Sequence, residues 1–335
     1  MPTENNKRIA KNTLFLYMRM LLIMAVNLYT ISVVLKIIGV EDYGIYNVVG
    51  GIVTMFSFIT GTMVSASQRF FSFELGRENH VKLNQYFNVS IYCYLIIAFI
   101  ILLFAETVGL WFLKTQMLIP PIRASAAGWV YQFSIISLII TMVVIPYDSV
   151  IIAREKMNIY AYISIVEAVL KLAVIYLLVL FDFDKLKLYA VLTCSVTLVI
   201  SMFYVIYCNK KFHESKLTFF WNRDMFKELM NFSGWSLFGG LASVFRNQGI
   251  NVLLNIFFGP IVNAARGIAF QVSNTINQFL LNFYKAVQPQ ITKNYAAEEY
   301  QNMMSLVFRS SRFSYYLIFI LSLPILIEMP YILTL

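Results

Sequence analysis

Leu83-Asn-Gln-Tyr-Phe-Asn-Val-Ser-Ile-Tyr-Cys-Tyr-Leu-Ile-Ile-Ala-Phe-Ile-Ile-Leu-Leu-Phe-Ala105 contains no Lys, Arg, Asp or Glu. A helix crossing the bilayer core needs ~20 such residues, and a soluble amphipathic helix would carry charge on its outer face. The stretch reads as a membrane span. Tyr43–Gln68, Ala124–Tyr147, Leu188–Asn209 and Gly267–Tyr284 likewise lack charge, and Asn12–Ile38, Tyr160–Leu180, Leu229–Phe258 and Phe313–Leu335 hold only a few charged residues. The expected fold is all-α, a polytopic membrane protein of nine transmembrane helices.

The gaps give the orientation. With the amino terminus assigned to one side, that side receives 16 of the 26 Lys and Arg, from Lys7 to Arg312. The other side receives 5 (Lys36, Lys114, Arg123, Lys185, Lys187), and 5 lie within spans. The positive-inside rule places the amino terminus in the cytoplasm. The same loops account for the net charge of +9, so it does not indicate nucleic acid; anionic lipid headgroups are the natural counter-charge. Cys93, Cys194 and Cys208 sit in or beside apolar spans without metal-ligand spacing and read as packing residues. The first span is too long for a signal-peptide core and stays attached.

Shifted on itself by 220 residues, the chain aligns Asn27 with Asn247, Gly39 with Gly259 and Gln68 with Gln288. In each copy a helix is expected to end at the glycine and a second to run to the glutamine. This pattern predicts two parallel six-helix repeats: a first lobe over 1–209, a cytoplasmic connecting loop over 210–227, and over 228–335 the first three helices of a second, truncated lobe.

Polar residues fall in stripes on four spans. The eighth carries Asn263, Arg266, Asn274, Asn277, Gln278, Asn282 and Lys285, and the seventh carries Asn247, Asn251 and Asn255 with Arg246 alongside. The second presents Asn47, Thr54, Ser65 and Gln68, the first Arg19, Asn27 and Thr30. Small and amide residues often serve only as glue between helices. An arginine at bilayer depth costs at least ~2.5 kcal/mol and marks a partner, pathway or ligand. Arg246 lies farthest from the helix ends, whereas Arg19 and Arg266 are near enough to snorkel. Glu167 and Lys171 form a self-neutralising i,i+4 pair, and Asp148 reads as facing water.

The start Lys7-Arg8-Ile-Ala-Lys11-Asn12-Thr, the turn Gly39-Val-Glu-Asp-Tyr43-Gly44-Ile-Tyr46 and Ser67-Gln68-Arg69-Phe70 resemble bacterial polysaccharide flippases (O-antigen transporters) of the multidrug/oligosaccharidyl-lipid/polysaccharide exporter superfamily. The resemblance implies two lobes around a cavity formed chiefly by helices one, two, seven and eight, working by alternating access. It also implies a polyprenyl-pyrophosphate-linked oligosaccharide as substrate, the bacterial inner membrane as location, and polysaccharide polymerase and glycosyltransferases as partners. Arg19 and Arg266 occupy helices comparable to those that carry cavity arginines in related lipid-II flippases. The substrate-binding set is then Arg19, Asn27, Arg246, Asn247, Asn251, Arg266, Asn274 and Gln278. Arginine grips pyrophosphate oxygens through paired hydrogen bonds, and amides serve the sugar hydroxyls.

No G-x-x-x-x-G-K-[ST] motif occurs, so an ion gradient is the expected energy source, with no bound cofactor or metal. A drug antiporter is the alternative within transport, but the four cavity helices hold essentially no carboxylate away from their ends. A membrane glycosyltransferase or polymerase would rest on Asp182-Phe-Asp184, which falls in a short loop on the side away from cytoplasmic sugar nucleotides. Lys216→Cys and Lys185→Cys should react with an impermeant maleimide from opposite faces of sealed cells, Lys185→Cys from outside. Reaction of both from outside would contradict the nine-span topology.

Overall fold

The computed structural model describes residues 2–328 except Met55, Leu118 and Asp182; the side chains of 2–6 and several within 52–58 and 244–272 lie outside that description. Ten α-helices follow one another: α1 (Pro2–Ile38), α2 (Val40–Thr54), α3 (Ser57–Gly76), α4 (His80–Phe104), α5 (Leu110–Thr115), α6 (Ala124–Ala153), α7 (Met157–Leu180), α8 (Lys185–Lys211), α9 (Arg223–Ala296) and α10 (Tyr300–Ile327). Helices dominate because only they satisfy every backbone polar group within one segment in hydrocarbon.

Among the described residues, six helical segments are long and apolar enough to cross a membrane: Lys7–Ile38, His80–Thr115, Pro121–Ala153, Met157–Leu180, Lys185–Lys211 and Tyr300–Ile327. Three of the nine expected spans are absent from this set. Tyr43–Gln68 is divided between α2 and α3, and both Leu229–Phe258 and Gly267–Tyr284 fall inside α9. These are the segments that carry the polar stripes. The ninth expected span, Phe313–Leu335, begins late: α10 starts at Tyr300, and 329–335 lie outside the described residues.

α9 is 74 residues long and would extend ~110 Å if straight. Yet Phe232 packs on Phe70 with ring centres 6.0 Å apart, and Tyr295 packs on Phe73 at 6.4 Å. Phe70 and Phe73 sit on adjacent turns of α3, so α9 must double back into two arms. The midpoint between Phe232 and Tyr295 falls at about residue 263, close to the reversal expected at Gly259. There the helical assignment is unbroken, whereas Gly39 breaks the helix with φ +90, a conformation open to glycine.

Helix ends recur at the 220-residue shift. α3 ends at Gly76 and α9 at Ala296, and α4 begins at His80 and α10 at Tyr300. Glu78 and Glu298 occupy the intervening turns with φ 55 and 61.

Buried residues from α3, α4, α6, α7 and α8 make the main core, including Phe71, Phe87, Met142, Ile151 and Leu178. Where α4 passes into α5, a π-helical turn over Ala105–Gly109 widens the ladder, and the Tyr131 hydroxyl donates to the Ala105 carbonyl at 2.7 Å. On the less basic face Arg123 bridges Asp42 and Asp184. Asp184 also caps α8 by accepting from the Leu186 and Lys187 amides, so this half of the D-x-D is spent on structure; Asp182 lies outside the described residues.

The second arm of α9 docks on the basic face. Glu155, in the α6–α7 turn with φ 58 and its side chain 2% exposed, accepts from Arg8 Nε at 2.8 Å, Lys293 Nζ at 2.6 Å and Gln290 Nε2 at 2.9 Å. Burial pushes the Lys293 pKa down, and the Glu155 carboxylate pulls it back up. Gly76 permits this approach, since a Cβ there would lie 2.5 Å from the Lys293 carbonyl oxygen and 2.7 Å from its Cα. Gly76→Ala should cost ~1–3 kcal/mol by overpacking and lower the apparent Tm in detergent. Gly128→Ala, with nothing within 4 Å of the added Cβ, should leave Tm nearly unchanged. Equal Tm for the two variants would show that the α3–α9 contact is loose.

Candidate functional site

Polar side chains on membrane helices gather where helices face one another. Here α1, α2, α3, α6, α7 and α8 surround a cavity of about 780 Å³, within the ~300–1,000 Å³ typical of ligand pockets. Its lining combines Arg19, Asp148, Glu167 and Lys171 with the hydroxyls of Thr141, Thr193, Thr197 and Ser201.

The charged groups converge on Tyr160 of α7. The Arg19 guanidinium lies 4.3 Å from the Tyr160 ring centre, and its Nε donates to Ser164 Oγ at 2.6 Å. Lys285, from the second arm of α9, lies 4.1 Å from the same ring centre and donates to the Tyr160 hydroxyl at 2.9 Å. An aromatic face attracts a cation by ~0.5–2 kcal/mol, which helps one ring hold two. Asp148 lines the same cavity, and Lys285 and Arg19 both act electrostatically on its carboxyl group. Its Oδ1 is enclosed without a hydrogen-bond partner among the described residues. Glu167 and Lys171 pair at 2.7 Å.

Further contacts join α1 to the second arm of α9 at the level of this cluster. Tyr17 meets Phe279 edge-on at 5.6 Å, and Asn282 Nδ2 lies 3.1 Å from Met20 Sδ. Below them sits the Glu155 hub. Toward the opposite side α9 presents bare apolar surface, with Trp235, Phe238, Phe245 and Phe257 exposed.

The expected site residues divide into two groups. Arg19 and Asn27 line the cavity, with Thr30 from the same stripe. Arg246, Arg266, Asn274 and Gln278 lie on α9 and do not line it. Arg246, Asn274 and Gln278 are exposed, and the Arg266 guanidinium lies 5.9 Å from the Phe270 ring centre. The side chains of Asn247 and Asn251 fall outside the described residues. The cavity among the described residues is lined from the first 209 residues, by the first two spans together with α6, α7 and α8. Asp148 faces it instead of bulk water, and nothing in the sequence marks Tyr160. Asp148 carries one signal, as the sole charged residue in α6.

A family profile described as "Polysaccharide biosynthesis protein" matches residues 9–295. No curated protein sequence matches the chain significantly. Among solved structures, a MATE transporter in complex with MaD3S superposes with TM-score 0.81 at 13% identity, covering 98% of this chain and 74% of the other. A point mutant of the Vibrio cholerae MATE transporter VcmN gives TM-score 0.80 at 14% identity over 98% and 74%. A MOP-superfamily transporter from Pyrococcus furiosus, described as having a binding pocket of reverse polarity, gives 0.75 at 15% over 97% and 72%. At these identities the superpositions establish the fold, and the profile establishes the family. The chain belongs to the polysaccharide biosynthesis protein family and has a MATE-like, all-α polytopic membrane fold.

Proposed function

We propose that this protein is a flippase that carries polyprenyl-pyrophosphate-linked oligosaccharide units across the bacterial inner membrane for surface polysaccharide synthesis. The observation that carries this reading is the convergence of Arg19 and Lys285 on one tyrosine ring. Two cations beside a single carboxylate leave an excess of positive charge at bilayer depth, which an anionic ligand would balance. With Nε committed to Ser164, the Arg19 terminal amino groups form a fork matched to two phosphate oxygens. The hydroxyls along α6 and α8 suit sugar.

In this reading Asp148 neutralises the site between cargoes, and the α9 residues Arg246, Asn247, Asn251, Arg266, Asn274 and Gln278 form the opposite wall of the path. The lobes are 1–209 and the helices from 228 onward, joined by 210–227. The repeated helix ends and the Glu78/Glu298 turns support that division. Alternating access separates the lobes at the Glu155 hub, the amino terminus is cytoplasmic, an ion gradient supplies the drive, and polymerase and glycosyltransferases are the neighbouring machinery.

A drug or small-cation antiporter is the second reading, favoured by the presence of Asp148 and Glu167 in the cavity. Against it, Lys171 occupies Glu167 and two cations face Asp148. Arg19→Ala and Lys285→Ala should each lower polysaccharide export in a flippase-null host tenfold or more, since a lost charge–phosphate hydrogen bond is worth roughly 2–5 kcal/mol. Arg19→Lys should retain part of the activity. Arg246→Ala and Arg266→Ala should also lower export. Normal export by the Arg19 and Lys285 alanine variants at normal protein levels would refute the site. Loss of cation efflux upon Asp148→Asn, with export unchanged, would favour the antiporter.

A further inference from the structure

The segment between α8 and α9 has an unusual location for irregular backbone. After the 3-10 turn His213–Ser215 the chain runs without helix from Lys216 to Asn222, along the outside of α4. Two asparagines one helical turn apart bind part of its backbone. Asn84 Nδ2 donates to the Glu214 and Lys216 carbonyls at 2.8 and 2.9 Å. Asn88 Oδ1 accepts from the Thr218 amide at 2.8 Å, and its Nδ2 donates to the Thr218 hydroxyl at 3.0 Å. Asn222 then caps α9 through the Asp224 and Met225 amides.

This pinning turns alternate side chains in opposite directions. Thr218 is held on α4, and Phe220 packs against the core. Leu217, Phe219 and Trp221 point away and are 63%, 94% and 50% exposed. Phe219 and Trp221 both meet Tyr92 edge-on, at 6.2 and 6.1 Å. Tyr92 lies twelve residues into α4, about 18 Å from its start, where an exposed apolar stripe of Leu95, Ile96, Phe99, Ile100 and Leu103 begins. That stripe is the face of a spanning helix that lipid covers. The exposed aromatics therefore continue the lipid face at its basic end. Lys210, Lys211, Lys216, Arg223 and Lys227 are exposed around them, while Glu214 is buried and engaged by Arg154.

We propose that residues 212–222 form an interfacial anchor, with Leu217, Phe219 and Trp221 inserted in the leaflet on the basic side and Lys210, Lys211 and Lys216 holding anionic lipid headgroups. Aromatic rings favour this depth, basic clusters draw anionic lipid, and at the headgroup level water reaches the backbone groups that Asn84 and Asn88 do not bind.

The full chain in vesicles of phosphatidylcholine and phosphatidylglycerol provides the test, with Trp221→Phe subtracting the emission of the other three tryptophans. The Trp221 component should be quenched about twofold more by lipid brominated at carbons 6,7 than at carbons 11,12, as expected for a side chain at the headgroup boundary. Phe219→Trp should report the same depth independently. Brominated phosphatidylglycerol should quench more than brominated phosphatidylcholine, and the combined Lys210→Gln, Lys211→Gln and Lys216→Gln variant should lose that preference. Quenching of Trp221 by aqueous iodide would overturn insertion. Protection from iodide without response to brominated lipid would indicate a protein contact and overturn it equally. Equal quenching by the two lipids would overturn the headgroup assignment.

Discussion

The docking of the second arm of α9 is the constraint on which the remaining arrangement depends. Two cations on that arm, Lys285 and Lys293, reach groups on the first part of the chain, Tyr160 at the cavity and Glu155 at the turn beneath it. Eight residues separate them along α9, about 12 Å of helix. A helix held at both points cannot rotate or slide without stranding a charge, and a stranded buried charge is costly. Gly76 allows the backbones to come close enough for both contacts. The geometry of the cavity's basic end is thus fixed by the same contacts that close that side.

Most of the architecture is legible in the sequence because the bilayer imposes one-dimensional rules. Apolar length identifies spans and basic loops orient them, so α4, α6, α7 and α8 lie close to their expected positions. The rules fail where helices serve polar surroundings. The division of α2 from α3 falls just after the Gly50-Gly51 pair, a signal the apolar run conceals, and the reversal in α9 is visible only because Phe232 and Tyr295 meet adjacent turns of α3. Gly259 does mark its approximate place.

The candidate site is legible in part for a related reason. A lone cation in an apolar span stands out, and Arg19 carries that signal. Lys285 reads only as a member of a stripe, since nothing in the sequence places it over Tyr160. The cluster also needs Asp148, which sits on a different helix from every other charge around the cavity. Helix periodicity orders neighbours within a helix, but the juxtaposition of α1, α6, α7 and α9 is a tertiary fact. The expected cavity between repeats and the observed cavity share two walls, α1 with Arg19 and Asn27 and the second span with Tyr46, Thr60 and Gly61.

Asparagine and glutamate perform backbone work here that glycine and secondary structure often perform elsewhere. Glu78, Glu155 and Glu298 each hold a left-handed turn on the basic face, although a side chain disfavours that conformation. At Glu155 the compensation is evident: the same residue gathers Arg8, Gln290 and Lys293. A glycine would relieve the backbone but leave Lys293 buried without its carboxylate, so conformation and charge cannot be optimised separately at that turn. Opening that contact would have to hydrate the Glu155 carboxylate and Gln290 together, since both are buried while Arg8 already reaches water.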